Sequence, residues 1–121
     1  MFVRRSMEKG SEKNKAVIYT RVAVSKGNKA PILMYRKACR QFAKRKNLAV
    51  VGEFFDVGSG LSLDRSGLNA MRRAIARESI NTVILYDFSQ LTRSFRHAMV
   101  LRDELEAHGV RAYSALRQIE I

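Results

Sequence analysis

Residues 16–25 read Ala-Val-Ile-Tyr-Thr-Arg-Val-Ala-Val-Ser, and the rest of the chain can be interpreted around them. The apolar and β-branched residues at the start of this segment favour a buried strand over 16–21. Arg21 stands where that strand ends, and a polar loop follows it. Open α/β sheets bind their ligands at the carboxyl ends of their strands. We therefore expect Arg21 to place a fixed positive charge at a ligand-binding edge.

The composition limits the classes to which the chain can belong. Its 121 residues suffice for one domain, and 46% of them are hydrophobic, which provides a core. Cys39 is the single cysteine and cannot form an internal disulfide, so we expect a reducing, cytoplasmic environment. No apolar run reaches the roughly 18 residues that cross a membrane, and we expect neither a membrane span nor a signal peptide.

The charge of the chain indicates the chemistry of its partner. Lys and Arg number 23 against 11 for Asp and Glu, which gives a net charge of +12. This excess favours a polyanion, with nucleic acid ahead of a membrane surface, although a basic protein without such a partner is the alternative. Residues 1–15 carry no periodicity and read as a flexible basic arm, which either lies along phosphates or is a solvated tail.

Strand and helix patterns alternate along residues 16–121, which we predict to form one domain. Strands are predicted at 16–21, 48–57, 81–87 and 110–115, and helices at 31–47, 66–78 and 94–108. Alternation of this kind predicts an α/β fold with three layers: a mostly parallel sheet of about four to five strands, covered by helices on both faces. Within the helices, Ser66 is the predicted N-cap of the second, and Val100 or Leu101, Leu105 and His108 are predicted on the inner face of the third.

Three arginines occupy equivalent places in this predicted fold. Arg21 follows the first strand, Arg65 follows the glycine-rich loop after the second, and Arg93 follows the third. The carboxyl ends of parallel strands meet at one edge, so these side chains are expected to converge. Arginine stays ionised and presents a planar fork of donors, and three together predict a phosphate-binding site.

A second basic feature lies on the first predicted helix. Arg36, Arg40 and Lys44 repeat every four residues and form a stripe on one face. The stripe is either a solvated helix face or a second surface for DNA phosphates.

The residues do not favour a metal site. His97 and His108 are too far apart in sequence for a pair of ligands on one helix, and Cys39 has no neighbouring ligand. We expect His108 to interact with a helix end and Cys39 to be a core residue, and we expect neither a metal nor a cofactor.

Between about Val17 and Ala115 the chain resembles the serine recombinases, the resolvase/invertase family. The motifs that carry the resemblance are Tyr19-Thr20-Arg21-Val22, Ala38-Cys39, Phe55-Asp56 with Ser59-Gly60, Asp64-Arg65-Ser66-Gly67-Leu68, and Val83-Ile84-Leu85 leading to Leu91-Thr92-Arg93. The resemblance implies a resolvase-like catalytic domain, in which a serine attacks a DNA phosphodiester and forms a phosphoserine linkage without metal or cofactor. Arg21, Arg65 and Arg93 match the family's catalytic arginines.

The departures from the family pattern fall on the chemistry. Ala23 stands at the position of the nucleophilic serine, and Ser25 is a possible substitute nucleophile two residues on. Ser89-Gln90 replaces the family's Asp-Arg, which leaves Gln90 as a possible phosphate contact, and Tyr35 stands where a glutamine is common. The match ends before the family's long dimerisation helix and helix-turn-helix domain, and we expect neither within this sequence.

These features together imply a serine-recombinase-like domain that acts on DNA in site-specific recombination and is impaired in strand cleavage. The alternative is a non-catalytic DNA-binding or regulatory partner of an active recombinase. A third reading is a basic α/β domain that binds a small phosphorylated ligand. The resemblance also implies a homo-oligomer or an oligomer with a full-length recombinase.

Overall fold

A computed structural model describes residues 14–22, 30–58 and 65–120, with only the backbone described at positions 30 and 90. Ala23, Ser25 and most of the basic arm therefore lie outside the described residues. The elements in chain order are β1 (Lys15–Val22), α1 (Ala30–Arg45), β2 (Ala49–Val57), α2 (Ser66–Arg77), β3 (Thr82–Leu85), α3 (Phe88–Leu91), α4 (Phe95–Ala107), β4 (Arg111–Ser114) and β5 (Ile119–Glu120).

In the described part of the chain the strands form one sheet in the order β2-β1-β3-β4-β5. The first four strands run parallel, and β5 pairs antiparallel with β4. β1 is an interior strand between β2 and β3, as its continuous apolar sequence predicts. The chain winds outward from β1 in both directions, which creates a switch point between the carboxyl ends of β1 and β3.

Helices cover both faces of the sheet because successive residues of β1 point to opposite sides. Ala16 and Ile18 pack with Cys39 and Phe42 of α1 on one face. Val17 and Tyr19 pack on the other face in a cluster that includes residues of α2, α3 and α4. The predicted three-layer α/β fold with a mostly parallel sheet is confirmed.

Local details differ from the sequence-based expectations. Neither α3 nor β5 was predicted, because four and two residues are too few for a periodic pattern. In α4, Leu101 is buried while Val100 is exposed, and His108 is an exposed residue at the C-cap. The N-cap of α2 is Arg65, and Ser66 is the first helical residue, so the predicted cap was wrong.

The described helices also bear on a membrane location. None of them combines the length with the apolar character that crossing a bilayer would require.

Candidate functional site

The site begins with the carboxyl end of β1. Arg21 is paired in register with Asp56 of β2 and shares with Tyr19 the sheet face covered by α2. Both Arg21 and Asp56 are buried, although their neighbours on these strands are largely apolar. Buried charges require partners, and the contacts of these two residues define the geometry of the edge.

Asp56 connects β1, β2 and α2. Its carboxylate accepts a hydrogen bond from the Tyr19 hydroxyl at 2.7 Å and from the backbone N–H groups of Gly67 and Leu68, each at 2.8 Å. The two amides belong to the first turn of α2, where backbone donors have no partner within the helix. Asp56 therefore supplies from a distant strand the cap that Ser66 was expected to give, and its negative charge complements the positive end of the helix dipole.

The approach of α2 to β2 depends on the absence of a side chain at Gly67. A Cβ atom at this position would lie 2.1 Å from the backbone oxygen of Phe55, far inside van der Waals contact. Glycine therefore allows the first turn of α2 to lie directly against β2. This contact fixes the position of Arg65, which immediately precedes the helix.

Arg65 is a buried cation whose donors are only partly used. It is 8% exposed, and its guanidinium lies 5.8 Å from the centre of the Tyr19 ring. One terminal nitrogen donates to the carbonyl of Leu91 at the end of α3. The Nε and the other terminal nitrogen, both buried, have no hydrogen-bond partner among the described residues. A buried guanidinium with two unfilled donors is an unfavourable arrangement that a bound anion would correct.

Arg21 adds a second buried cation to this edge. Its NH1 donates to the carbonyl of Gly58 at 2.7 Å, where the chain leaves β2. Burial lowers the pKa of Arg21 below its usual value, and the nearby charge of Arg65, with a smaller effect of Arg93, lowers it further. Arg65 and Arg93 therefore both lie near enough to Arg21 for their charges to act on it.

Arg93 completes the group from a more open position. It follows α3 and is exposed, whereas Arg21 and Arg65 are buried. The group therefore combines two buried cations with one that is accessible to solvent. Gln90, the other candidate here, belongs to α3, and its side chain is not described.

The basic stripe of α1 has a different environment. Arg36 donates to Glu53 of β2 at 3.1 Å, and Arg40 donates to both oxygens of the same carboxylate at 2.7 and 2.8 Å. The hydrogen bond from Arg40 lowers the pKa of Glu53, and the bond from Arg36 adds to this effect against the opposing influence of burial. Lys44 is exposed in the last turn of the helix. Two of the three predicted cations thus already share an anion.

Cys39 and His108 occupy ordinary structural positions. Burial raises the pKa of the Cys39 thiol to about 12, so the sulfur is neutral and packs in the core. The Nδ1 of His108 lies 2.9 Å from the carbonyl oxygen of Glu104 at the end of α4. Across the described ranges, no cluster of three or more His, Cys, Asp or Glu side chains could hold a metal ion.

Sequence reasoning named the three arginines but gave no role to the residues that position them. Tyr19 and Asp56 entered only as parts of motifs, and Gly67 only as the neighbour of Arg65. The available signal was an acid at the end of an otherwise apolar strand, since such a residue is rarely buried without partners.

Comparison with known proteins identifies the family. The family model for the resolvase N-terminal domain matches residues 16–120. None of the curated proteins matches the sequence. Among solved structures, the chain is similar to the C-terminal catalytic domain of ISC1926 TnpA, an IS607-like serine recombinase, with 26% identity and a TM-score of 0.77 over 84% of this chain and 70% of that one.

Two further structures share the fold. The N-terminal catalytic domain of TP901-1 integrase is 27% identical, with a TM-score of 0.73 over 88% of this chain and 81% of that chain. A resolvase family site-specific recombinase from Streptococcus pneumoniae is similar in fold, with 20% identity and a TM-score of 0.75 over 89% and 76% of the two chains. Because the family model covers nearly the whole chain and the fold agrees, the protein belongs to the resolvase family of serine recombinase catalytic domains.

Proposed function

We propose that this domain binds a DNA phosphate at the edge formed by Arg21, Arg65 and Arg93, in a cytoplasmic, recombinase-type role, and that it is impaired in strand cleavage. The observation that carries the proposal is the buried Arg65 guanidinium, two of whose donor nitrogens have no partner among the residues that the structure describes. Because the chain is similar to recombinase catalytic domains, we take DNA as the polyanion that it binds.

The chemistry of the site favours a phosphate over other ligands. A phosphodiester has two non-bridging oxygens that share one negative charge and can accept parallel hydrogen bonds from a guanidinium. Such bonds contribute about 1.5–3 kcal/mol each, because donor and acceptor are both ionised. The exposed Arg93 lies where an approaching backbone would be met first, and the buried pair would then orient the phosphate.

Ala23 is the reason to separate binding from cleavage. In serine recombinases the seryl oxygen loses its proton and forms a bond to phosphorus, the bond from phosphorus to the leaving deoxyribose oxygen breaks, and that oxygen takes up a proton. The methyl group of Ala23 has neither an attacking lone pair nor a proton to lose. The acid and the arginine that the family carries at positions 89–90 are also replaced, by Ser89 and Gln90. We infer that the domain still binds the phosphate but no longer forms the covalent bond to it.

The proposal is tested by duplex DNA binding as a function of salt concentration. Replacing Arg65 by Ala should weaken binding about tenfold or more, and each of Arg21→Ala, Arg65→Ala and Arg93→Ala should reduce the slope of log K against log salt by about 0.9. Arg73→Ala is the matched control, because Arg73 is an exposed arginine of α2 outside the site. A steep slope that none of the three variants changes would disprove the site.

Covalent chemistry is measured on the same samples. The protein is incubated with a nicked or intact duplex and then denatured. We expect no covalent protein–DNA adduct in these samples. An adduct would contradict the loss of cleavage, and its disappearance in Ser25→Ala would identify Ser25 as the substitute nucleophile.

The same geometry supports a second role, a non-catalytic regulatory partner of an active recombinase. A domain that has hydrogen-bond donors for phosphate, as on Arg65, but Ala23 at the nucleophile position would occupy DNA that an active enzyme requires. Mixing the chain with a full-length relative and following co-elution separates the two roles, since independent DNA binding predicts no complex in the absence of DNA.

A further inference from the structure

The segment between α3 and α4 carries an exposed arginine directly after two buried residues. Leu91 and Thr92 are 2% and 6% exposed, whereas the next residue, Arg93, is exposed. A cation on a segment that is anchored in the core has a fixed origin, although its guanidinium is accessible to solvent. The contacts of the residues on either side therefore decide where Arg93 places its charge.

Thr92 makes a hydrogen bond that spans Arg93. Its hydroxyl oxygen accepts from the backbone N–H of Ser94 at 3.1 Å. Because Thr92 and Ser94 are the residues before and after Arg93, the bond closes a small ring that contains the whole backbone of the arginine. Threonine hydroxyls form local bonds of this kind with the main chain two residues on, and each such bond restricts the backbone between the two partners.

The two ends of this segment are held as well. At its start, the buried Arg65 donates a hydrogen bond to the carbonyl of Leu91. At its end, Ser94 is the N-cap of α4, and its hydroxyl accepts from the N–H of His97 at 3.3 Å. The segment is thus fixed to a buried arginine on one side and to α4 on the other, and the Thr92 hydroxyl joins these two fixed points.

We propose that Thr92 is a positioning residue, whose hydroxyl fixes the backbone of Arg93 so that this cation faces the same anion as Arg21 and Arg65. The charge of Arg93 already acts on the Arg21 guanidinium, which places the two side chains at one edge. Since Thr92 is buried, it acts through Arg93 and not by touching the ligand. The inference rests on the proposed function, because it requires that Arg93 meets a phosphate.

A fixed backbone at Arg93 has two consequences for anion binding. An exposed arginine loses conformational freedom when it binds, and a backbone that is fixed beforehand removes part of that loss. A guanidinium also binds phosphate through directed pairs of donors, so a shift of the Arg93 backbone changes which donors reach the ligand. Loss of the Thr92 hydroxyl should therefore weaken binding although every arginine of the site is still present.

The first test compares the same substitution at two buried threonines. Thr92→Val keeps the shape of the side chain and removes the hydroxyl. Thr82→Val does the same at the amino end of β3, where the Thr82 hydroxyl donates to the side chain of Asn81 at 3.0 Å. In duplex binding, Thr92→Val should lower the slope of log K against log salt by up to about 0.9 and weaken binding nearly as much as Arg93→Ala does. Thr82→Val should change neither quantity, and Thr92→Ser, which keeps the hydroxyl, should bind as wild type does.

A double variant separates positioning from general damage to the fold. Thr92→Val/Arg93→Ala should bind no more weakly than Arg93→Ala, because the hydroxyl acts only through the arginine. If Arg93→Ala weakens binding but Thr92→Val does not, or if Thr92→Val has the same effect with and without Arg93, the positioning role is wrong and the phosphate site stands. If Arg93→Ala itself has no effect, the proposed phosphate contact of Arg93 is wrong, and the positioning role falls with it.

The backbone of Arg93 provides a second measurement that needs no DNA. The order parameter of its amide, from NMR relaxation, should lie near the value of about 0.85 typical of rigid backbone in wild type and in Thr92→Ser, and it should fall in Thr92→Val. The amide of Arg73, within α2, is the internal reference. An order parameter that Thr92→Val leaves unchanged would overturn the role of this hydroxyl in fixing the segment.

Discussion

Two arginine-rich regions of the protein differ in what their guanidinium groups bind. On the face of α1, Arg36 and Arg40 converge on the carboxylate of Glu53. At the carboxyl edge, Arg65 donates to a backbone carbonyl and keeps two buried nitrogens without a partner in the described structure. The number of arginines in a region therefore does not identify an anion site. The partners that those arginines already have do identify it.

The difference has an energetic consequence for ligand binding. A phosphate that approached α1 would compete with Glu53 for donors that are already satisfied, so the gain in free energy would be small. A phosphate at Arg65 would satisfy donors that were desolvated when the protein folded, so most of its hydrogen-bond energy would appear as affinity. We therefore expect the buried edge to bind an anion more strongly than the α1 face, although fewer cations are exposed there.

The largest effect that we expect is on the free energy of unfolding, and it distinguishes Asp56 at the carboxyl edge from Glu53 beside α1. Asp56→Ala removes the acceptor of the Tyr19 hydroxyl and of two amides of α2, and it should lower the free energy of unfolding by about 3 kcal/mol. Glu53→Ala should cost less than about 1 kcal/mol, because its ion pairs are partly solvated. Urea denaturation measures both, and equal losses would show that the Asp56 cap adds nothing beyond a surface ion pair.

A smaller effect is expected on DNA binding from the α1 stripe. Glu53→Gln removes the shared anion and releases Arg36 and Arg40. If this adds one phosphate contact, the slope of log K against log salt for duplex binding should steepen by up to about 0.9. Glu78→Gln makes the same change of net charge at an exposed position at the end of α2 and is the control. If the two variants bind DNA with the same salt slope, the arginines of α1 do not face DNA even when they are free.

The smallest effect concerns the pH dependence of stability. Since the hydrogen bond from Arg40 lowers the pKa of Glu53 in the folded state, this ion pair stabilises the protein fully above the unfolded pKa of Glu53 and is lost as the pH falls through the folded one. The difference in unfolding free energy between wild type and Glu53→Gln should be constant at neutral pH and should shrink as the pH falls below 4.5, the ordinary pKa of a glutamate, towards the lower folded value.

Urea denaturation across this range tests the pH dependence. Asp87 also has a lowered pKa, because hydrogen bonds from Arg117, Ser89 and Ser114 outweigh the desolvation that opposes ionisation. Its contribution is common to both proteins and cancels in the difference. A difference that grows towards acid pH would show that the sign assigned to Glu53 is wrong.

Much of the fold was accessible from the sequence. The apolar run at 16–21 predicted a buried strand, which β1 forms, and the helix predicted over 94–108 ends at Ala107, just before Gly109 with its φ of 68°. The short elements α3 and β5 and the cap of α2 could not be predicted, since each depends on contacts with distant parts of the chain. Asp56 and Tyr19, for example, are 37 residues apart in sequence.

The sequence by itself determined the layer order and the convergence of Arg21, Arg65 and Arg93, because hydrophobic periodicity specifies the elements and parallel strands end at a common edge. Tertiary structure alone decided which cations keep unfilled donors. Arg36 and Arg65 are both arginines in basic surroundings, but β2 presents Glu53 to the first. The packing of α2 against β2 buries the second beside Tyr19, with no carboxylate partner in the described part of the chain. Side-chain pairing between distant elements depends on their three-dimensional approach, and local sequence patterns carry no record of it.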